Sequence, residues 1–67
     1  NTLHLVVMKS TPLYESATTA SKQIGEVTPG VLLKLNDSFE GHWYNVNLPD
    51  GRQAWCENTT VEKVELN

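Results

Sequence analysis

Cys56, His42 and Asp50 are close in the sequence and are the residue types from which a thiol hydrolase is assembled. In such an enzyme a histidine takes the proton of the thiol, and a carboxylate orients the histidine. We predict, however, that Cys56 lies on the buried face of a strand, where a small cysteine behaves as an inert apolar side chain. The sequence therefore predicts no catalytic residue, and we expect a protein that is not an enzyme.

Metal binding would depend mainly on the two histidines and the single cysteine. His4, His42 and Cys56 show none of the close paired spacings from which structural zinc sites are built. A single cysteine also excludes a disulfide within the chain. We predict neither a metal site nor a cofactor.

The aromatic residues suggest binding rather than catalysis. Trp43 and Trp55 lie on either side of a turn at Asp50-Gly51, and Tyr14 begins a long polar segment. We predict that Tyr14, Trp43 and Trp55 form an aromatic shelf, which would bind a peptide or a glycan. The alternative is structural: the two tryptophans would cover the open side of the fold and hold the long loop in place.

Length and charge restrict the class of protein. The chain has 67 residues and a formal net charge of −3. Residues 1–67 form one domain, and a domain of this size buries only about 60% of its unfolded surface. The basic residues are scattered, whereas nucleic-acid binders and proteins of anionic membrane surfaces carry basic patches. No apolar run approaches the roughly 18 residues of a membrane span.

We therefore expect no nucleic-acid partner and no membrane insertion by this segment. The chain starts at Asn1 rather than at methionine, so we expect it to be a fragment of a larger protein.

Short apolar and β-branched runs, separated by turn signals, predict the fold. The runs occupy residues 3–8, 24–27, 31–37, 43–48, 52–56 and 61–66. We predict an all-β protein with about five or six short antiparallel strands in a small barrel or two packed sheets, and one 3₁₀ turn near 57–60. Pro12 is predicted to end the first strand, residues 14–23 to form a long loop, and Gly41 to be the flexible point of a turn.

Two registers are open to the hairpin that carries both tryptophans. A two-residue turn at 50–51 would place Val46 opposite Trp55. A three-residue loop at 49–51, with its glycine in the left-handed conformation, would place Val46 opposite Ala54. We favour the three-residue loop because it sets small side chains under large ones.

The favoured register also pairs Tyr44 with Cys56 and makes that face of the hairpin the core face. Trp43 and Trp55 then lie on the opposite face as diagonal neighbours, at a distance of about 7–8 Å. The sequence therefore predicts that both tryptophans lie outside the main core and near each other.

The motifs of this chain, taken in order, resemble the bacterial SH3 (SH3b) family. They are "LYESATTASKQIGEVTPG" at 13–30, "GHWYNV" at 41–46 and "AWC" at 54–56, where the family typically has segments such as "LNVRSGPSTSSKVIGTLKKG", "GWYKV" and "GWV". The "SKQIG" run, Gly30 and the two tryptophans carry most of the resemblance, which covers residues 3–65. The departures from the family pattern are Leu13, Glu15, Ala17, Thr18 and Ala54.

This resemblance implies an SH3-like barrel and a non-catalytic binding module within a larger bacterial envelope or secreted protein. The implied location is the cell envelope or the extracellular space, and the implied partner is a peptidoglycan peptide or another protein. We expect the module to be monomeric. The alternative function is a structural spacer or an intramolecular docking domain with no free ligand.

The eukaryotic SH3 domain, a structural relative of that family, allows a second comparison. Its groove for Pro-rich peptides is lined by aromatic side chains. Tyr14, Trp43 and Trp55 resemble part of that lining. Glu57 and Thr60, however, stand where that groove has a proline and a tyrosine. We therefore do not expect recognition of a PxxP peptide.

Overall fold

In the computed structural model, residues 2–39 and 42–66 are described, and they form seven strands and one 3₁₀ turn. The elements are β1 (Thr2–Val7), β2 (Thr11–Tyr14), β3 (Gln23–Val27), β4 (Leu32–Phe39), β5 (Trp43–Asn47), β6 (Gln53–Glu57), η1 (Asn58–Thr60) and β7 (Val61–Leu66). The prediction of an all-β protein with a 3₁₀ turn near 57–60 is confirmed. The seven strands exceed the five or six that the sequence predicts. The turn predicted at Gly41 lies outside the described residues.

The strands form one antiparallel sheet in the order β3-β2-β6-β5-β4-β1-β7. Side chains from strands far apart in this order meet in a single core, which consists of Leu5, Val7, Leu13, Leu33, Val46, Ala54 and Cys56. A sheet whose β1 and β2 contribute to the same core must curl around it. Its edges are β3 and β7, and no backbone ladder joins them among the residues described, so the sheet is not closed.

The first and last strands lie side by side at one end of this order. Their antiparallel ladder runs from Thr2 opposite Leu66 to Val7 opposite Val61. Along β1, Leu5 and Val7 point into the core, whereas Val6 between them is partly exposed. The period of two is that of a strand with one buried face.

β2 is the strand that the sequence analysis missed, because Pro12 was predicted to end strand structure. Pro12 lies opposite Glu26 of β3, whereas β6 pairs with β2 only at Tyr14. The side of Pro12 away from β3 therefore has no strand partner, and the missing N–H of proline leaves no ladder bond unmade. β3 begins at Gln23, so the long loop is shorter than predicted and occupies residues 15–22.

β5 and β6 are joined by the predicted three-residue loop at 49–51. The Leu48 N–H donates to the Arg52 carbonyl at 2.8 Å, and the Gly51 N–H donates to the Leu48 carbonyl at 3.0 Å. Gly51 has a φ of 91°, a left-handed conformation that glycine adopts without steric cost. Asp50 Oδ1 accepts the Arg52 N–H at 3.0 Å, and Asp50 Oδ2 pairs with Arg52 Nε at 2.7 Å.

The register that this loop sets is the favoured one. Val46 lies opposite Ala54, and Tyr44 lies opposite Cys56. Val46 and Cys56 are both 0% exposed, so the predicted core face is the buried one. The alternative two-residue turn, which would have placed Trp55 opposite Val46, is wrong.

Asp50 in this loop makes part of the hairpin's stability depend on pH in the acid range. The backbone N–H of Arg52, and then its guanidinium group, lower the pKa of Asp50 below its ordinary value of 3.8. Because the folded pKa is the lower one, ionised Asp50 stabilises the folded state above the ordinary pKa. That contribution is lost as the pH falls through the folded pKa.

We expect an NMR titration of the Asp50 carboxyl carbon to show this lowered pKa. In Arg52→Gln, which removes the charge and keeps the backbone N–H, the pKa should rise only part of the way to its ordinary value. A pKa of Asp50 at or above the ordinary value in the unmodified protein would contradict the hydrogen bonds of the loop.

The Cys56 thiol should be unreactive in the folded protein. Burial raises the pKa of Cys56 from 9.0 to about 11. A rise of this size lowers the thiolate fraction about a hundredfold at neutral pH, and the reagent must also wait for the core to open. We expect labelling by a maleimide to be far slower in native buffer than in denaturant, and equal rates would refute the buried position.

Candidate functional site

The aromatic shelf spans three neighbouring strands. Tyr14 ends β2, Trp55 lies in the middle of β6, and Trp43 begins β5. Tyr14 is paired with Trp55, and Trp43 is diagonal to Trp55 because the latter lies opposite Asn45. Side chains alternate along a strand, so the shelf lies on the outer face of the sheet, away from the face that buries Val46.

Two rings of the shelf are in direct contact. The ring centroids of Tyr14 and Trp43 are 5.7 Å apart, with an angle of 80° between the ring planes. Such an edge-to-face pair contributes about 0.5–1.5 kcal/mol beyond the area that it buries. Tyr14, Trp43 and Trp55 are each half-buried. Half-burial uses part of each ring for packing and leaves part of it accessible to a ligand.

The loop at 15–22, which follows the shelf strand β2, is held by the hydroxyl group of Ser21. Ser21 Oγ accepts the Ser16 N–H at 3.2 Å and donates to the Thr18 carbonyl at 2.7 Å. The Thr18 N–H donates in turn to the Ser16 carbonyl at 2.7 Å. These bonds give a defined shape to a segment whose composition predicted only an irregular loop.

An amide network on the outer face lies beside the shelf. Asn45 is only 8% exposed; its Nδ2 donates to the Ala54 carbonyl at 3.3 Å, and its Oδ1 accepts Asn36 Nδ2 at 3.1 Å. Asn36 and Asn47 exchange two further side-chain bonds of 2.7 and 2.6 Å. A β-bulge in β4 leaves Asn36 without an opposite residue. Because buried polar groups must be hydrogen-bonded, this network explains how Asn45 is accommodated.

Two threonines and one backbone bond position the 3₁₀ turn. Thr11 is 1% exposed, and its hydroxyl lies 2.7 Å from both the Lys9 carbonyl and the Thr60 hydroxyl. The Asn58 N–H donates to the His42 carbonyl at 2.9 Å, just before β5 begins. The turn is thereby fixed both to the start of β2 and to the start of β5, the two strands that carry the contacting rings.

The structure does not bring Cys56, His42 and Asp50 together as a thiol hydrolase would require. Cys56 is in the core, whereas His42 and Asp50 are exposed. Across the ranges 2–39 and 42–66, no group of His, Cys, Asp and Glu side chains is placed to hold a metal ion. Within the same ranges, no helix has the length and apolar character required to cross a membrane.

Two shallow grooves, which the sequence analysis did not predict, flank the loop at 49–51. The first has a volume of about 270 Å³ and lies between that loop and β3. The second has a volume of about 310 Å³ and lies between the loop and the outer face of β1 and β4. Leu48 and Pro49 line both grooves. For the first groove the signal in the sequence was Gly25 within a predicted strand, since a strand glycine often marks a place where another backbone approaches closely.

No family model matches the chain, no curated protein matches it, and no solved structure matches it. The shelf and the grooves are therefore interpreted from their own geometry and chemistry, together with the motifs of the sequence.

We expect Ser21→Ala to loosen the loop without unfolding the domain. The substitution removes the acceptor of the Ser16 N–H, and exposed bonds of this kind contribute about 1 kcal/mol or less. Hydrogen exchange at the Ser16 amide should accelerate while exchange in β5 and β6 stays unchanged. Ser10→Ala, at an exposed position outside the loop, is the control; unchanged exchange at Ser16 in Ser21→Ala would contradict the proposed role of Ser21.

Proposed function

We propose that this chain is a non-catalytic binding module of the SH3b type within a larger bacterial envelope or secreted protein. Its aromatic shelf would bind a peptidoglycan peptide or a protein partner. The observation that carries the proposal is the placement of Tyr14, Trp43 and Trp55 on neighbouring strands, with the first two rings in contact and all three partly exposed. Aromatic side chains of this kind are the usual anchors of binding surfaces.

The proposal includes an SH3-like barrel as the fold. Two observations support it: the sheet curls around one core, and a 3₁₀ turn connects β6 to β7, the last two strands along the chain. The order and spacing of the sequence motifs over residues 3–65 support it independently. Closure into a barrel would bring the two edge strands, β3 and β7, side by side. Among the described residues, this is the only neighbouring pair of such a barrel that has no backbone ladder.

A carboxylate beside the shelf favours a ligand that carries an amino group. Glu57 lies directly opposite Trp43 and is half-buried. A cation over an aromatic ring gains about 0.5–1 kcal/mol at an exposed site, and a neighbouring carboxylate adds to that attraction. Peptides with free amino groups fit this combination better than neutral glycans do.

The second candidate function is that of a structural spacer or an intramolecular docking domain. The edge-to-face contact of Tyr14 with Trp43 favours it, because rings that pack against each other also stabilise the fold. In that case the shelf would have no free ligand.

Replacement of one shelf residue distinguishes the two functions. If the shelf binds, Trp43→Ala should cost about 1 kcal/mol of stability and about 2 kcal/mol or more of binding free energy. If the tryptophans belong to the core, the same change should cost about 3–5 kcal/mol of stability, enough to unfold a domain of this size. The measurements are the free energy of unfolding in urea and co-sedimentation with purified peptidoglycan.

Val46→Ala is the matched control on the opposite face of the same strand. It should destabilise the domain by about 2 kcal/mol through lost burial, without a specific loss of binding once the protein is folded. The binding function of the shelf would be refuted by either of two results. One is that Trp43→Ala is unfolded; the other is that it is folded and sediments with peptidoglycan as well as the unmodified protein does.

A further inference from the structure

The groove between β3 and the loop at 49–51, hereafter the β3 groove, has the form of a site for an extended peptide. One wall consists of four consecutive residues of β3, 24–27, and the other consists of 48–50 with Arg52. Leu13, which is 3% exposed, forms the base. Because side chains alternate along a strand, four consecutive residues line one groove only where the groove follows the backbone edge.

That edge presents backbone groups that can form hydrogen bonds. In an antiparallel ladder, residues alternate between positions that bond to the neighbouring strand and positions that point away from it. Pro12 has no N–H to donate to β3, so the pair Pro12–Glu26 fits the position that does not bond. The N–H and C=O of Glu26 then point away from β2, into the groove, where β3 is the edge of the sheet.

Gly25 leaves the middle of the groove free of a side chain. It lies opposite Leu13, and a Cβ built on it would be 3.8 Å from Leu13 Cδ1. That is an ordinary van der Waals distance, so a Cβ at residue 25 would not clash with the core. The absence of a side chain at residue 25 therefore keeps the base of the groove open. The backbone conformation does not require a glycine at this position, since the described glycines with positive φ are Gly30 and Gly51.

The charges around the groove favour a basic partner. Asp50 is paired with Arg52, so these two charges offset each other. Glu26 is exposed, and the described ion pairs do not include it, so it leaves the groove with an excess negative charge. A second copy of this chain that paired its β3 antiparallel with this one around Glu26 would place two Glu26 carboxylates at neighbouring positions, where like charges repel.

We propose that β3 binds an extended, basic and β-branched peptide of another protein as an added strand. The peptide would exchange backbone hydrogen bonds with Glu26, place a small apolar side chain over Gly25 against Leu48, and hold a lysine or arginine near the Glu26 carboxylate. Addition of a strand to a free sheet edge is a recurrent mode of peptide recognition. This site is separate from the aromatic shelf, none of whose residues line the β3 groove.

The test is a titration of the isotope-labelled 67-residue chain with a synthetic peptide, acetyl-Lys-Val-Val-Val-Lys-amide, followed by NMR. The lysine peptide should shift the amide resonances of residues 24–27 and slow hydrogen exchange of the Glu26 N–H. Its acidic counterpart, acetyl-Glu-Val-Val-Val-Glu-amide, should bind at least about tenfold more weakly because of charge repulsion.

Two variants locate the contact. Gly25→Val fills the groove and should weaken binding of the lysine peptide about tenfold or more, while a dispersed spectrum shows that it is folded. Glu26→Gln should weaken binding of the lysine peptide but not of the acidic one. Glu65→Gln on the opposite edge strand is the matched control and should bind the lysine peptide as the unmodified chain does.

The proposal would be overturned by the absence of a shift at residues 24–27 with the lysine peptide, by shifts centred on the aromatic shelf instead, or by unchanged binding by folded Gly25→Val. Shifts along β3 that depend on protein concentration alone would assign the edge to a second copy and would overturn it as well. If Gly25→Val does not fold, the comparison of Glu26→Gln with Glu65→Gln decides.

Discussion

The three-residue loop between β5 and β6 is the constraint on which the rest of the structure depends. A slip of one residue in this hairpin would move every side chain of one strand to the other face of the sheet. With Gly51 in the left-handed conformation, Val46 and Cys56 enter the core and the two tryptophans face outward. The core and the aromatic shelf are therefore two results of one register, and neither can change without the other.

Polar side chains shape the parts of the surface that a core of this size cannot hold. Ser21 orders the loop beside the shelf, Asn45 is anchored by its amide network, and Thr11 joins the start of β2 to η1. A single hydrogen bond contributes only about 1 kcal/mol, but each of these removes an alternative conformation of a segment that borders a ring. Specific shape at low energetic cost suits a surface that must remain partly exposed.

Sequence reasoning succeeded where the determinants are local and failed where they are tertiary. The β5–β6 loop could be predicted because the proline, aspartate and glycine of 49–51 are themselves the turn signal. Strand β2 was missed because the effect of Pro12 depends on whether a strand pairs on its N–H side, which only the topology reveals. The burial of Asn45 and the contact between Tyr14 and Trp43 also require partners from other strands, as does the groove beside Gly25.

The pairing of β1 with β7 has a mechanical consequence. Thr2 lies opposite Leu66, so a tension applied through these two residues pulls on the same end of one antiparallel ladder. The hydrogen bonds of that ladder would then break one pair after another, whereas a shearing force would load all of them at once. A domain with this geometry yields at low force from the edge strand β7 inward, and it would extend early in a protein that is stretched between two attachment points.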